Sequence, residues 1–239
     1  IFMFLLIETR YRLTISMIKF KIALMVANDA IADEKAQSDK LLRNILPDEV
    51  ADELKTTGKA SAKHYEKVSV LFTDFKGFTA RSASMTPEEV IEELNKCFSA
   101  FDAIVEKYNL EKIKTIGDAY MAATGLDGST PHATQLIQTA RTFITHLENR
   151  NRTSSQEWQC RIGIHSGKVI AGIIGKTRFL YDIVGDDVNI AARVESAGSP
   201  MKITITFDTY QLLEDKQQAQ SIGNVYLKGK GEMELFHVL

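Results

Sequence analysis

The chain has 239 residues, enough for one domain of ordinary size plus an extension. Apolar residues make up 44% and charged residues 25%, as in a soluble globular domain, and a net charge of −2 gives no reason to expect nucleic acid as a partner. Cys97 and Cys160 form no CxxC pair, which argues against a zinc site or disulfide framework and favours a reducing compartment.

The first residues differ from the rest. Residues 1–7 are wholly apolar and are followed by Arg10, Arg12, Lys19 and Lys21. The run alone is too short to span a bilayer, which takes about 20 residues. Two readings fit residues 1–20: the last turns of a transmembrane helix with a juxtamembrane basic stretch, or an ordinary amphipathic helix. The basic cluster favours the first and would mark the cytoplasmic side. No cleavable signal peptide is expected, because the charges follow the apolar run. The start at Ile1 reads as a piece of a longer chain with an upstream sensor or transmembrane domain.

Residues 21–65 are expected to be a signalling helix and linker. From Lys21 to Leu46 there is neither proline nor glycine. Leu24, Ile31, Ser38 and Ile45 fall seven apart, with Ala27, Glu34 and Leu41 three later. This heptad with polar defects fits a coiled coil or a single helix. Pro47 closes it or begins the next helix, and Asp48 to Lys55 reads as a short helix ended at Thr56-Thr57-Gly58.

Residues 66–239 read as the globular domain. Val68 to Phe72 is a buried strand. Thr86-Pro87-Glu88-Glu89 opens a helix to about Tyr108, with a threonine cap, proline at the first position and carboxylates at the positive end. Ile113–Ile116 and Tyr120–Thr124 are short strands around Gly117-Asp118. Residues 131–149 form a second amphipathic helix. Arg161–Ser166 and Val169–Ile174 are expected as two strands joined at Gly167-Lys168. Asp187–Ser196 is a helix, Ile203–Ile205 a strand, and Val225–Lys228 with Leu235–Val238 a closing hairpin. Strands and helices mix without βαβ repetition, which predicts an α+β sheet with helices on one face.

Asp74 follows the first strand directly, and Asp118 sits in a glycine turn between two others. If those strands are neighbours, both carboxylates can face one point and, with water and phosphate oxygens, suit Mg²⁺ or Mn²⁺. An aspartate after a strand is also a common turn residue or cap. Asn189 and Arg193, four apart on a helix, share a face, so an amide and a guanidinium can hold an oxygen-rich anionic group. A capped surface helix explains the same pair.

Taken together, Phe72 to Thr79, Lys112 to Leu126, Arg161 to Gly167, Tyr181 to Arg193 and Lys228 to Glu232, in that order, resemble the class III nucleotidyl cyclase catalytic domain. Leu41 to Pro47 resembles the helical segment that precedes the domain in sensor-linked members. The resemblance implies a ferredoxin-like βαββαβ core with extra C-terminal strands, dimerised head to tail with shared active sites. It implies that Asp74, Asp118 and the Phe75 carbonyl hold two Mg²⁺ or Mn²⁺ ions per site. Lys114 and Asp182 would read the purine, Arg161 and Lys228 hold the triphosphate, and Asn189 and Arg193 act in the transition state. Asp74, Asp118 and Arg161 would come from one protomer, the other residues from its partner.

Lysine donates only and an ionised aspartate accepts only. Adenine offers a ring acceptor and an amino donor on the matching edge; guanine offers the reverse. Family guanylyl cyclases tend to carry Glu and Cys at these two positions. The expectation is therefore an adenylyl cyclase, a phosphorus–oxygen lyase acting on ATP as a homodimer at the cytoplasmic face of a membrane. The rivals are a guanylyl cyclase, a catalytically dead regulatory module, and a signalling dimer driven by the N-terminal helix.

Overall fold

The computed structural model describes residues 2–128, 133–154, 156–175, 177 and 179–239. The chain forms two units, residues 1–60 and 61–239. In the first, helix α1 (Phe2–Arg43) runs unbroken through the proline- and glycine-free stretch. Helix α2 (Asp48–Thr57) follows Pro47 and ends on left-handed Gly58. Arg43 joins Asp48 and Asp52 at 2.5 and 2.6 Å, and Lys55 joins Asp39 at 2.8 Å, closing the corner between the helices. Leu24, Ile31 and Leu41 of the heptad are exposed. Among the described residues no helix is long and apolar enough to cross a membrane.

The second unit begins with strand β1 (Lys63–Phe75), which contains the expected Val68–Phe72 and extends beyond it at both ends. A short helix α3 (Phe78–Ser82), absent from the sequence reading, precedes α4 (Pro87–Lys107). Thr86 caps α4 as its sequence predicts, and Glu89 reaches back to the Thr86 N–H to complete a reciprocal capping box. Strands β2 (Glu111–Ile116) and β3 (Ala119–Thr124) form a hairpin, and α5 (Ala133–Asn151) follows. The expected start of that helix at residues 131–132 lies outside the described residues.

Strand β4 (Cys160–Ile174) is one continuous strand, not two. Gly167-Lys168 lies within its ladder, with Gly167 paired to Val68, so the glycine is not a turn there. Next come β5 (Leu180–Val184), α6 (Asp186–Ala197), β6 (Ile203–Thr206) and the short α7 (Phe207–Gln211). Strands β7 (Ala219–Leu227) and β8 (Gly231–Val238) close the chain.

Among the described residues eight strands make one sheet in the order β2-β3-β1-β4-β6-β8-β7, with β5 paired to the outer part of β4. One face carries the main core. Leu71 and Phe75 of β1 and Ile162 and Ile164 of β4 pack there against Phe101 of α4 and Phe143 of α5, with Trp158. The rings of Phe101 and Phe143 stack at 4.0 Å.

The helices do not all lie on that face. Successive strand residues point to opposite sides, so Arg161, Gly163, His165 and Gly167 face away from Ile162 and Ile164. Helix α6 lies on this second face: a Cβ at Gly163 would collide with the Glu195 backbone, and one at Gly167 with the Asp187 carboxylate. Two glycines four apart on β4 let a helix rest directly on the strand. This second layer holds Asp74 and Arg161 of the sheet, with Asn189 and Arg193 on the helix.

Candidate active site

Strand β1 has β3 on one side and β4 on the other, so Asp74 lies opposite both Ala119 and Arg161. Asp118, in the turn just before Ala119, is therefore brought to the end of β1, as the sequence reading required. Burial, and then the neighbouring Asp74 charge, raise the Asp118 carboxyl above its ordinary pKa. Arg161 Nη2 donates to Asp74 Oδ1 at 3.2 Å, and its Nε to Glu195 Oε1 at 2.8 Å. Glu195, not singled out from the sequence, is buried at 6% exposure; burial raises its pKa and Arg161 opposes the rise. The side chain of Phe75 stacks on Phe98 and Phe101 in the core, which fixes the backbone beside Asp74.

Among the described residues no group of three or more His, Cys, Asp or Glu side chains is arranged to hold a metal. The donors expected from the sequence are the Asp74 and Asp118 carboxylates and the Phe75 carbonyl. All are hard oxygens, and two like charges lie close enough to raise one pKa. Such a set fits Mg²⁺ or Mn²⁺ that keeps water or phosphate as further ligands.

Lys114 and Asp182 meet at a second point, with Nζ 2.5 Å from Oδ2. Asp182 sits in β5 opposite Gly172 of β4 and is buried, its Oδ1 accepting the Ile183 N–H at 2.9 Å. Lys114 reaches it through a β-bulge. The β2–β3 register runs Lys112↔Ala122 and then Lys114↔Met121, leaving Ile113 as the extra residue. Without the bulge, alternation would put Lys114 on the same face as Lys112, which instead bonds Asp102 of α4.

Asn189 and Arg193 are both exposed on α6. Asn189 Nδ2 donates to the Gly185 carbonyl at 3.2 Å, while Arg193 makes no ion pair among the described residues. Lys228 is exposed in the turn between β7 and β8, and Lys230 of that turn pairs with Asp186 at the start of α6. Among the described residues no hydrogen bond or ion pair joins the group Asp74, Asp118 and Arg161 to the pair Lys114 and Asp182.

The family model described as Adenylate and Guanylate cyclase catalytic domain matches residues 60–239. The chain belongs to this family, and residues 60–239 are a nucleotidyl cyclase catalytic domain, the module of a lyase. Among curated relatives, human atrial natriuretic peptide receptor 2 is 37% identical over 217 residues, covering 88% of this chain and 21% of the receptor. An adenylate cyclase of Mycobacterium tuberculosis (H37Rv) is 35% identical over 208 residues, covering 86% of this chain and 47% of that enzyme. This chain thus spans about a fifth and about half of their lengths. The guanylate cyclase domain of RhGC from Catenaria anguillulae, solved with GTP, is 34% identical with a TM-score of 0.71, covering 74% of this chain and 98% of that one. Relatives thus include cyclases of both kinds.

Proposed function

We propose that this domain is an adenylyl cyclase that converts ATP to 3′,5′-cyclic AMP and pyrophosphate as a head-to-tail homodimer with shared sites. One observation carries the choice of base: Lys114 Nζ and Asp182 Oδ2, 2.5 Å apart, set a lone donor beside a lone acceptor. That pair complements the ring nitrogen and amino group of adenine. Guanine would bring its N–H against the ammonium and its carbonyl against the carboxylate. Buried polar groups left unpaired discriminate strongly.

Asp74, Asp118 and the Phe75 carbonyl of one protomer would hold the two metal ions. When bound, these ions supply Lewis acidity toward the ribose 3′-hydroxyl and toward the leaving pyrophosphate. The residues of the chain do the rest. Arg161 and Lys228 bind the triphosphate, and Arg161 must leave its partners Asp74 and Glu195 in part to do so. Asn189 of the partner protomer orients the ribose. Its Arg193, exposed and without an ion pair among the described residues, meets the charge that grows on the α-phosphoryl group. The 3′-oxygen forms a bond to the α-phosphorus as the bridging bond to the β-phosphate breaks. The hydroxyl proton passes to water or a phosphate oxygen; no protein base is assigned.

The shared-site reading is supported by the separation of the site into two groups along β4, Asp74 lying opposite Arg161 and Asp182 opposite Gly172, with no hydrogen bond or ion pair between the groups among the described residues. Exposed Ile116, Ile174, Leu180 and Val184 at the ends of β2, β4 and β5 add apolar surface suited to a partner. The full-length chain would carry an upstream sensor or transmembrane domain and hold this module at the cytoplasmic face of a membrane, with α1 as the connecting helix. The likeness to a GTP-bound domain favours a guanylyl cyclase as the second reading. Incubating the purified protein with Mn²⁺ and either nucleotide separates the two: cyclic AMP from ATP supports the proposal, cyclic GMP alone rejects it.

A further inference from the structure

Between Gly163 and Gly167, the two glycines under α6, β4 carries one side chain on the same face: His165. It is buried, at 3% exposure. Its Nε2 lies 3.3 Å from Asp187 Oδ1 and its Nδ1 2.8 Å from Thr206 Oγ1. The other Asp187 oxygen accepts the Lys168 backbone N–H at 2.5 Å. A carboxylate only accepts, so His165 donates through Nε2, and the Thr206 hydroxyl completes Nδ1. Asp208 is the other acid facing the ring, its Oδ2 3.9 Å from Nδ1. Behind Thr206 a chain of hydroxyls continues through Thr209 at 3.3 Å, Ser166 at 3.0 Å and Ser69 of β1 at 2.7 Å. The whole network is braced from the sheet.

Asp187 is the second residue of α6, two before Asn189 and six before Arg193. The far end of the helix is held by Glu195 on Arg161. Eight helical residues from Asp187 to Glu195 rise about 12 Å, and four strand residues from Gly163 to Gly167 span about 13 Å. The two anchors therefore match in length, and α6 is pinned to β4 at both ends with Asn189 and Arg193 between them.

We infer that His165 and Asp187 are positioning residues for the reaction: together they fix the first turns of α6 and so the placement of Asn189 and Arg193. This rests on the cyclase reading of those two residues. It adds a pair that touches no substrate and that acts on turnover. Nucleotide binding depends mainly on Lys114, Asp182, Arg161 and Lys228, which lie off the helix.

The test measures kcat, KM and thermal midpoint with Mn²⁺ and each nucleotide for the intact chain, Arg193→Ala, His165→Ala, His165→Gln, Asp187→Ala and the double alanine variant. A displacement of about 1 Å at reacting groups costs on the order of a hundredfold in rate, so His165→Ala and Asp187→Ala are expected to lose about tenfold or more in kcat, with KM within about twofold. His165→Gln places an amide N–H where Nε2 stood and should recover most of the loss. The double variant should be no worse than either single change, as for two halves of one contact. Wild-type kcat in His165→Ala and Asp187→Ala, beside an inactive Arg193→Ala, overturns the inference and leaves the cyclase reading standing. Equal losses in His165→Ala and His165→Gln, or kcat falling only with KM and the thermal midpoint, also overturn it. An active Arg193→Ala removes the underlying reading instead, and the inference with it.

Discussion

Lys114 Nζ and Asp182 Oδ2 lie 2.5 Å apart across 68 residues of sequence, one on the bulged edge strand β2 and the other on β5. If this pair reads the base, exchanging its polarity should exchange the substrate. Lys114→Glu with Asp182→Cys is expected to lower the kcat/KM for ATP by about a hundredfold or more, since mismatched buried polar groups stay unpaired. GTP turnover should rise in the same protein. Unchanged ATP turnover, followed by chromatography of the products, would contradict the assignment.

The two aspartates make a separable prediction about metal. Asp118 has a raised pKa because of burial and the Asp74 charge. In the metal-free protein, a raised folded pKa means that its stabilising contribution is present below the unfolded value and lost as pH rises through the folded one. Asp118→Asn should therefore be at least as stable as the wild type near pH 7 without metal, with the gap closing as the pH falls toward the ordinary aspartate range. Binding at a hundredfold excess over Kd stabilises by about 2.7 kcal/mol. Mn²⁺ with nucleotide should raise the melting temperature of the wild type and do so far less in Asp118→Asn. Equal rises in both proteins would remove Asp118 from the metal site.

Gly163 tests the seat of α6. An alanine there would drive its Cβ into the Glu195 backbone, so the helix must lift. Overpacking of this kind costs about 1–3 kcal/mol. Gly163→Ala is expected to lower the free energy of unfolding by that amount and to lose most activity, through displacement of Arg193. Retained stability would show that α6 does not rest on β4 as described.

Much of this was legible in the sequence, and the rest failed for physical reasons. The threonine cap at Thr86, the strand over Val68–Phe72 and the turn at Asp118 follow local rules, and the pairing of β1 with β3 brings Asp118 to the end of the strand that carries Asp74. Gly167 looked like a turn because glycine punctuates strands. It is there to let a helix approach, and its signal was a second glycine, Gly163, four residues earlier on the same face. That spacing would also have moved α6 to the second face of the sheet. The bulge at Ile113, which inverts the side on which Lys114 emerges, leaves no mark in the alternation pattern. Glu195 and His165 act through partners distant in the chain, Arg161 and Asp187, and only the fold brings these together.

Complementation addresses the shared site. Asp74→Ala and Arg193→Ala should each be inactive as homodimers, because each change removes a residue needed in both sites. Mixed heterodimers keep one site intact and should regain about half of the wild-type rate at most, within the additivity of independent sites. Inactive heterodimers, with pairing shown by affinity tags, would rule out sites built from both protomers.

The most direct measurement is the specificity ratio of the purified chain, its kcat/KM for ATP over that for GTP with Mn²⁺ and product identity read by mass spectrometry. Cyclic AMP is expected as the main product, with ATP preferred by about a hundredfold or more. A ratio near one, or cyclic GMP as the main product, would contradict the role given to Lys114 and Asp182.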